Sequence, residues 1–494
     1  MVQFFNLFVL DIFMVLYTMC AMLLFIYGIN SYHSIYLFLK HRKKTVTRDR
    51  EFLATHQLKD WPLVTTQLPL YNESAVVERL IKAICAIEYP HGLHEIQVLD
   101  DSTDGSELIS KGIVDEMRAL GHQINWIYRS DRSEYKAGAL KAGMNLTEGE
   151  FIAIFDADFM PEADFLIKTI PFLMENSTLA LVQGRWGHVN RGDSLLTLAQ
   201  SIGIDGHFVI EQSARSWGDL FMNFNGTAGI WRKSAIEDAG NWQGDTLTED
   251  MDLSYRAQLR GWKMKFLYDI IVPAELPDDI NAFKSQQYRW AKGSIQTAKK
   301  VLPQVFRGDF SLRVKWQALM HTTHYMIHPL MLSTAILSLP LLTWYRYSLP
   351  SFMIWFIVVT IFIASVAPSV LYFVAQRFSQ SEGWKKRVLV FPILMSLGTG
   401  IAINNSKAVF SALLGRKSSF VRTPKKGDQK FVKTSINFPL IAIIELTLGV
   451  YCAISSQIYF TSDKYLVGPF LILYAIGFLW VGTLSILHFS RQKA

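Results

Sequence analysis

Cysteine is scarce. Cys20, Cys85 and Cys452 are the only three among 494 residues, and they stand too far apart for a metal-ligand spacing. Their separation argues against a disulfide framework and against a zinc centre. Charged side chains are also few, at 18% of the chain against 50% apolar residues, and the mean hydropathy is positive at +0.19. That balance is unusual for a purely soluble enzyme, so membrane segments are expected. Acidic residues do not dominate either, because the net charge is +7 and the pI about 9.0. The Lys and Arg cluster beside apolar runs, which points to a lipid bilayer as partner and not to nucleic acid.

The first apolar run, 4–27, is long enough to cross a bilayer, which takes about 20 helical residues. It has no basic start and no small-residue cleavage site, so it reads as an anchor and not as a signal peptide. Asp11 interrupts it, where a carboxylate either snorkels or pairs, or serves as a relay. Lys40, His41, Arg42, Lys43 and Lys44 follow, and the positive-inside rule then places the next segment in the cytosol. Further spans are expected at 316–343, 351–375, 438–458 and 466–487. Basic residues flank 388–414 on both sides, from Arg377 to Arg387 and from Arg416 to Lys433, so that stretch does not cross once. Its Asn404, Asn405, Ser406 and Lys407 favour an interfacial or re-entrant element, with a hairpin of two short spans as the alternative. The resulting division is 1–44 anchor and basic flank, 45–306 cytosolic domain, 307–376 helix pair, 377–436 cytosolic segment and 437–494 second helix pair.

Between 45 and 306 short apolar strands alternate with helix-compatible stretches. Strands are expected at 63–68, 96–99, 125–128, 151–155 and 180–183, with helices at 74–87 and 136–146. This alternation predicts an α/β domain with a mostly parallel, Rossmann-like sheet, whose ligands bind at the carboxyl ends of the strands. Polar motifs do follow those strands. The 96–99 strand runs into Asp100, Asp101, Ser102, Thr103 and Asp104, and the 151–155 strand into Asp156, Ala157 and Asp158. Two carboxylates one residue apart can share a hard divalent cation, Mg²⁺ or Mn²⁺, and leave coordination sites for diphosphate oxygens. Taken alone, the same pair is equally an Asx-turn or a helix cap. Thr248, Glu249 and Asp250 precede a helical pattern and are open to the same capping explanation. Gln286, Gln287, Tyr288, Arg289 and Trp290 form a basic-aromatic stretch that an interfacial anchor helix would also explain.

In this order, Asp101, Asp156-x-Asp158, Thr248-Glu249-Asp250 and Gln286-x-x-Arg289-Trp290 resemble the processive family 2 glycosyltransferases, the group that contains cellulose synthase. Gln67-Leu68-Pro69-Leu70-Tyr71-Asn72-Glu73, Tyr135-Lys136-Ala137-Gly138 and Asn225-Gly226-Thr227-Ala228-Gly229 draw the likeness toward the cellulose-synthase-like mannan and glucan synthases. The resemblance implies a GT-A-type catalytic domain joined to a transmembrane helical bundle. It implies that Asn72, Glu73, Asp101, Lys136, Gln286 and Arg289 serve the nucleotide-sugar donor, with Lys136 open between phosphate contact and structural capping. Asp156 and Asp158 then hold the metal, with Asp156 also at the donor, and Asp250 is the general base beside Glu249. Asn225, Gly226, Thr227 and Trp290 meet the growing glycan acceptor. Phe420-Val421-Arg422-Thr423-Pro424-Lys425 is similar to the family's gating loop, with a basic loop at lipid headgroups as its alternative. His321, His324 and His328 fall on one helical face, where hydrogen bonding or packing competes with metal binding.

The activity implied is inverting transfer from UDP-glucose or GDP-mannose into a β-linked, β-1,4 polysaccharide, with translocation coupled to synthesis. The alternative is a single transfer to a lipid carrier or glycolipid, and a non-enzymatic membrane protein is the third class. Nothing after Lys430 has the pattern of a cyclic-dinucleotide regulatory domain. Donor, linkage and any export subunits are not specified by the residues.

Overall fold

The computed structural model describes residues 2–344, 351–379, 383–418, 440–463, 465 and 467–493. The gating-like segment 420–425 and the side chain of Asp11 lie outside the described residues.

Seven strands form one sheet in the order β3-β2-β1-β4-β6-β5-β7. They are β1 (Val64–Leu70), β2 (His94–Asp100), β3 (Ile124–Tyr128), β4 (Phe151–Ile154), β5 (Leu179–His188), β6 (Gly229–Arg232) and β7 (Lys263–Ala274). β6 runs antiparallel between β4 and β5, while every other neighbouring pair is parallel. The five expected strands are present; β6 and β7 complete the sheet and make it mixed. The sheet is covered on both faces, which is why β4 reads as an unbroken apolar run. Phe151, Ala153 and Phe155 enter one core cluster, and Ile152 and Ile154 the other, as a two-residue repeat requires. Polar side chains inside the sheet are satisfied across strands, as where Gln67 Nε2 donates to Gln97 Oε1 at 3.0 Å.

One helix, Val2–Thr55, runs from the first apolar segment through the basic flank and on to the domain. No break marks the boundary expected at 44–45. Its far end docks through Arg50 to Asp269 at 2.6 Å and Lys265 to Asp49 at 2.7 Å, and Phe52 packs on Phe172. Four helices among the described residues are long and apolar enough to cross a membrane: Ile12–Thr55, His324–Leu342, Leu440–Thr461 and Gly468–Ser490. The expected 351–375 span is a single helix, Ser351–Ser379. The 388–414 stretch forms two short helices, Phe391–Gly400 and Ala402–Leu413. Asn404, Asn405 and Ser406 are buried in the second, against the long helix Ile280–Arg307, and do not mark a water-facing edge.

Candidate active site

The carboxyl ends of β1, β2, β3 and β4 open onto one cleft, where Tyr71, Asp101, Arg132 and Asp156 from the loops after these strands line a common space. Every residue that the resemblance assigns to donor, metal, base or acceptor lines it except Asn72 and Thr227. These two brace the walls. Asn72, with φ of 57°, joins the β1 loop to the β2 loop: its N–H donates to Ser102 Oγ at 2.8 Å, and its Oδ1 accepts from Thr103 N at 2.9 Å. Thr227 is buried, and its hydroxyl oxygen accepts the Asp156 N–H at 2.9 Å, fixing the loop after β4.

The two aspartates after β2 separate by role. Asp100 is fully buried and accepts from Ser102 N, the Ser110 hydroxyl and Trp126 Nε1, so it holds the turn together. Asp101 lines the cleft and is gripped by both prongs of a guanidinium, Arg129 Nε at 2.8 Å and Nη2 at 2.6 Å. Arg132 lies over the Tyr71 ring, 3.2 Å from its centroid. Arg129 and Arg132 belong to no motif quoted above, and Tyr71 stands inside the Gln67–Glu73 stretch without a role of its own. The available signal was position, because Arg129 and Arg132 directly follow the expected 125–128 strand.

Lys136 bridges two loops. Its ammonium donates to Asp156 Oδ1 at 2.5 Å and to the Gly226 carbonyl at 2.7 Å. Burial alone would depress its pKa, but Asp156, Glu249 and Asp250 together hold it above the ordinary lysine value. Asp250 sits in the first turn of the helix Glu249–Leu259, where its Oδ1 accepts the Met251 N–H at 2.7 Å. Loss of solvent and the neighbouring Glu249 carboxylate push Asp250 up to about 7. Gly226, at φ of 82°, lets the 225–229 loop pass close by: a Cβ there would lie 3.1 Å from Asp250 Oδ2. Arg289 comes from the Ile280–Arg307 helix. Burial lowers its pKa, and the nearby Glu249, Asp156, Asp250 and Asp158 carboxylates counter that effect only in part.

A glycine sets how closely that helix approaches. A Cβ at Gly293 would stand 2.5 Å from Thr248 Cγ2 and 2.9 Å from its backbone nitrogen. Gly293→Ala should therefore push the Thr248–Asp250 turn away from Arg289, destabilise the fold by about 1–3 kcal/mol and lower turnover. Thermal unfolding and initial rates of the purified variant check this, and unchanged values in both would refute the contact.

His321, His324 and His328 are hydrogen-bonded separately: His321 to Tyr255 Oη at 2.8 Å, His324 to the His321 carbonyl at 3.0 Å, and His328 to Asn405 Nδ2 at 3.0 Å. Among the described residues no group of three or more His, Cys, Asp or Glu side chains is arranged to hold a metal unaided.

The chain is 35% identical to glucomannan 4-β-mannosyltransferase 7 of Arabidopsis thaliana over 452 residues, spanning 85% of this chain and 76% of that protein. It belongs to glycosyltransferase family 2, in the cellulose-synthase-like group. The family model described as "Glycosyltransferase like family 2" matches residues 62–293 of this glycosyltransferase, the stretch that builds the sheet and most of the cleft. Glucomannan 4-β-mannosyltransferase 1 of Oryza sativa subsp. japonica is 45% identical over 253 residues, about half of each protein at 50% and 48%. Among solved structures, a mannosyltransferase from Pyrobaculum calidifontis in complex with GDP-Man and Mn²⁺ aligns with a TM-score of 0.48 and 16% identity, over 78% of this chain and 99% of that one.

Proposed function

We propose that this family 2 glycosyltransferase is a membrane-embedded β-glycan synthase that transfers mannosyl groups from GDP-mannose to the end of a growing β-1,4-linked chain. Of the two donors open from the sequence, the relatives named as glucomannan 4-β-mannosyltransferases favour the mannosyl one. The observation that carries the reading is that Asp156, Asp158, Asp250, Arg289 and Trp290 line the same cleft although 134 residues separate the first from the last.

Asp156 and Asp158 fit a hard divalent cation: two carboxylates one residue apart at the mouth of a parallel strand, short of a full protein cage, suit an ion that takes its remaining ligands from diphosphate and water. When bound, Mg²⁺ or Mn²⁺ supplies positive charge to the leaving diphosphate. The protein's own residues do the rest. Asp101, held by Arg129, meets the nucleotide, and Arg289 offers its donor fork to the diphosphate as negative charge develops there. Asp250 takes the proton of the acceptor hydroxyl. That oxygen forms its bond to the anomeric carbon as the bond to the diphosphate breaks, and configuration inverts once. Trp290 presents an apolar face to the terminal sugar. The basic flanks favour a cytosolic cleft by the positive-inside rule, with product leaving across the bilayer between the apolar helices.

With Asp250 as the base and its carboxyl pushed up to about 7 by burial, kcat/KM should rise with pH through about 7 and level off above it. A pH-rate profile whose ascending limb lies near the ordinary carboxylate value, about 4, would contradict that assignment. Trp290→Ala tests the acceptor end: elongation of added oligosaccharide should fall at least about tenfold while GDP binding stays within about twofold. Normal elongation by this variant would remove the platform role.

A further inference from the structure

Gln286, Arg289 and Trp290 all lie in the first three turns of the helix Ile280–Arg307, so whatever fixes that end sets where these side chains stand in the cleft. It is fixed by a buried ion pair. Lys284 Nζ lies 2.7 and 2.9 Å from the two carboxylate oxygens of Glu445, and 3.2 Å from the Ser485 hydroxyl. Lys284 is 5% exposed and Glu445 0%. Glu445 belongs to the Leu440–Thr461 helix and Ser485 to the Gly468–Lys493 helix, both long and apolar enough to cross a membrane. Three more ties converge there. Asn404 Nδ2 donates to the Lys284 carbonyl at 2.9 Å, Asn281 Nδ2 donates to the Ser485 carbonyl at 3.0 Å, and the capping carboxylate of Asp279 faces His488 Nδ1 at 3.2 Å.

Stability alone explains this pair poorly. Two buried charges pay heavily in lost hydration, and apolar residues of similar volume often stabilise as well or better. A carboxylate inside an apolar span is a costly choice unless it has a task. What a charge-assisted hydrogen bond to Oε2 beside a close ion pair at Oε1 adds is register. Lys284 precedes Gln286 by two residues and Arg289 by five, and sliding the helix by one residue would move the guanidinium by about 1.5 Å. Displacements of that size cost up to about 10²-fold in rate.

We propose that Glu445 is a positioning residue for glycosyl transfer: through Lys284 it sets Arg289 and Trp290 against donor and acceptor, and it ties the cleft to the last two apolar helices. The proposal rests on the roles of Arg289 and Trp290 given above.

Three variants of the full chain in lipid nanodiscs test it. Lys284→Met with Glu445→Leu replaces the pair by apolar bulk, Lys284→Glu with Glu445→Lys reverses it, and Glu445→Gln removes one charge at constant shape. The apolar double variant should unfold at the parent's temperature or above, yet transfer at least about tenfold more slowly. The reversed pair should recover transfer to within about threefold of the parent, and Glu445→Gln should fall between. An apolar double variant that transfers at the parent's rate would overturn the proposal. So would loss of folded protein in all three variants, which would reduce the pair to a structural tie. Asp250→Asn measured in parallel separates the two readings. If it is inactive while the apolar double variant is fully active, only the positioning role fails; if Asp250→Asn is itself active, the site reading fails with it.

Discussion

Asp250→Asn should bind donor and divalent metal as the parent does and transfer sugar about 10² to 10⁴ times more slowly, the span a positioned general base supplies. The substitution keeps the side chain's size and its acceptor oxygen toward Met251 N, so that first-turn N–H of the Glu249–Leu259 helix keeps its partner. What it removes is a carboxylate whose proton affinity is already matched to neutral pH. Burial and Glu249 raise Asp250 toward 7, and Lys136 pulls it back, so it is charged above that pH and a competent proton acceptor. Neighbouring Glu249 is also pushed up, by burial first and foremost. Glu249→Gln should consequently shift the ascending limb of the pH profile without abolishing transfer, whereas Asp250→Asn flattens the profile. Parent-like rates in Asp250→Asn, measured as GDP released per acceptor elongated, would assign the base to another residue.

Asp158→Asn carries the second large effect. Asp158 is buried and lines the cleft, and it acts on the same Arg289 guanidinium as Asp156. Its amide counterpart offers no charge to a divalent cation, and transfer should fall by about 10² or more, the usual cost of one preorganised charge-stabilising contact. Raising Mg²⁺ or Mn²⁺ should recover part of that loss, because the deficit lies in cation affinity. Asp156→Asn should fall further and recover less. Its carboxylate also pairs with Lys136, which reaches the Gly226 carbonyl, so its loss loosens the acceptor-side loop as well. Isothermal titration of metal in the presence of GDP distinguishes the two. Equal metal affinity in parent and variants would reject the pair as ligands.

Much of this was legible in the sequence because the strands that position the site are buried on both faces. Phe151–Ile154 is an unbroken apolar run that ends on Asp156, and His94–Asp100 ends on Asp101, so periodicity and motif point to the same sheet edge. The missed strands carried weaker signals. β6 is four residues long and follows directly on the Asn225–Gly229 loop, too short for any period to register. β7 alternates charged and apolar residues over Lys263–Phe266, but its later residues lose the alternation where its pairing with β5 shifts register. Arg129 escaped notice because its function is relational: only the β2–β3 pairing brings its guanidinium to Asp101. Asn72 and Thr227 carry the converse lesson. Both sit inside motif stretches, yet their side chains are committed to backbone groups of neighbouring loops, and only coordinates distinguish a residue that faces the cleft from one that shapes it. Likewise Asn404 and Asn405 read as polar interruptions of an apolar run, when they are buried partners of Lys284 and His328.

The most direct test of the central claim is product analysis. Membranes bearing the protein are incubated with GDP-mannose or UDP-glucose and Mg²⁺ or Mn²⁺, and the product is sized and then digested with linkage-specific glycanases. The account predicts a metal-dependent polymer from GDP-mannose that an endo-β-1,4-mannanase cuts to short oligosaccharides, and that Asp250→Asn membranes fail to make. A single sugar added to a lipid, or a polymer that β-1,4-glycanases leave intact, would contradict it.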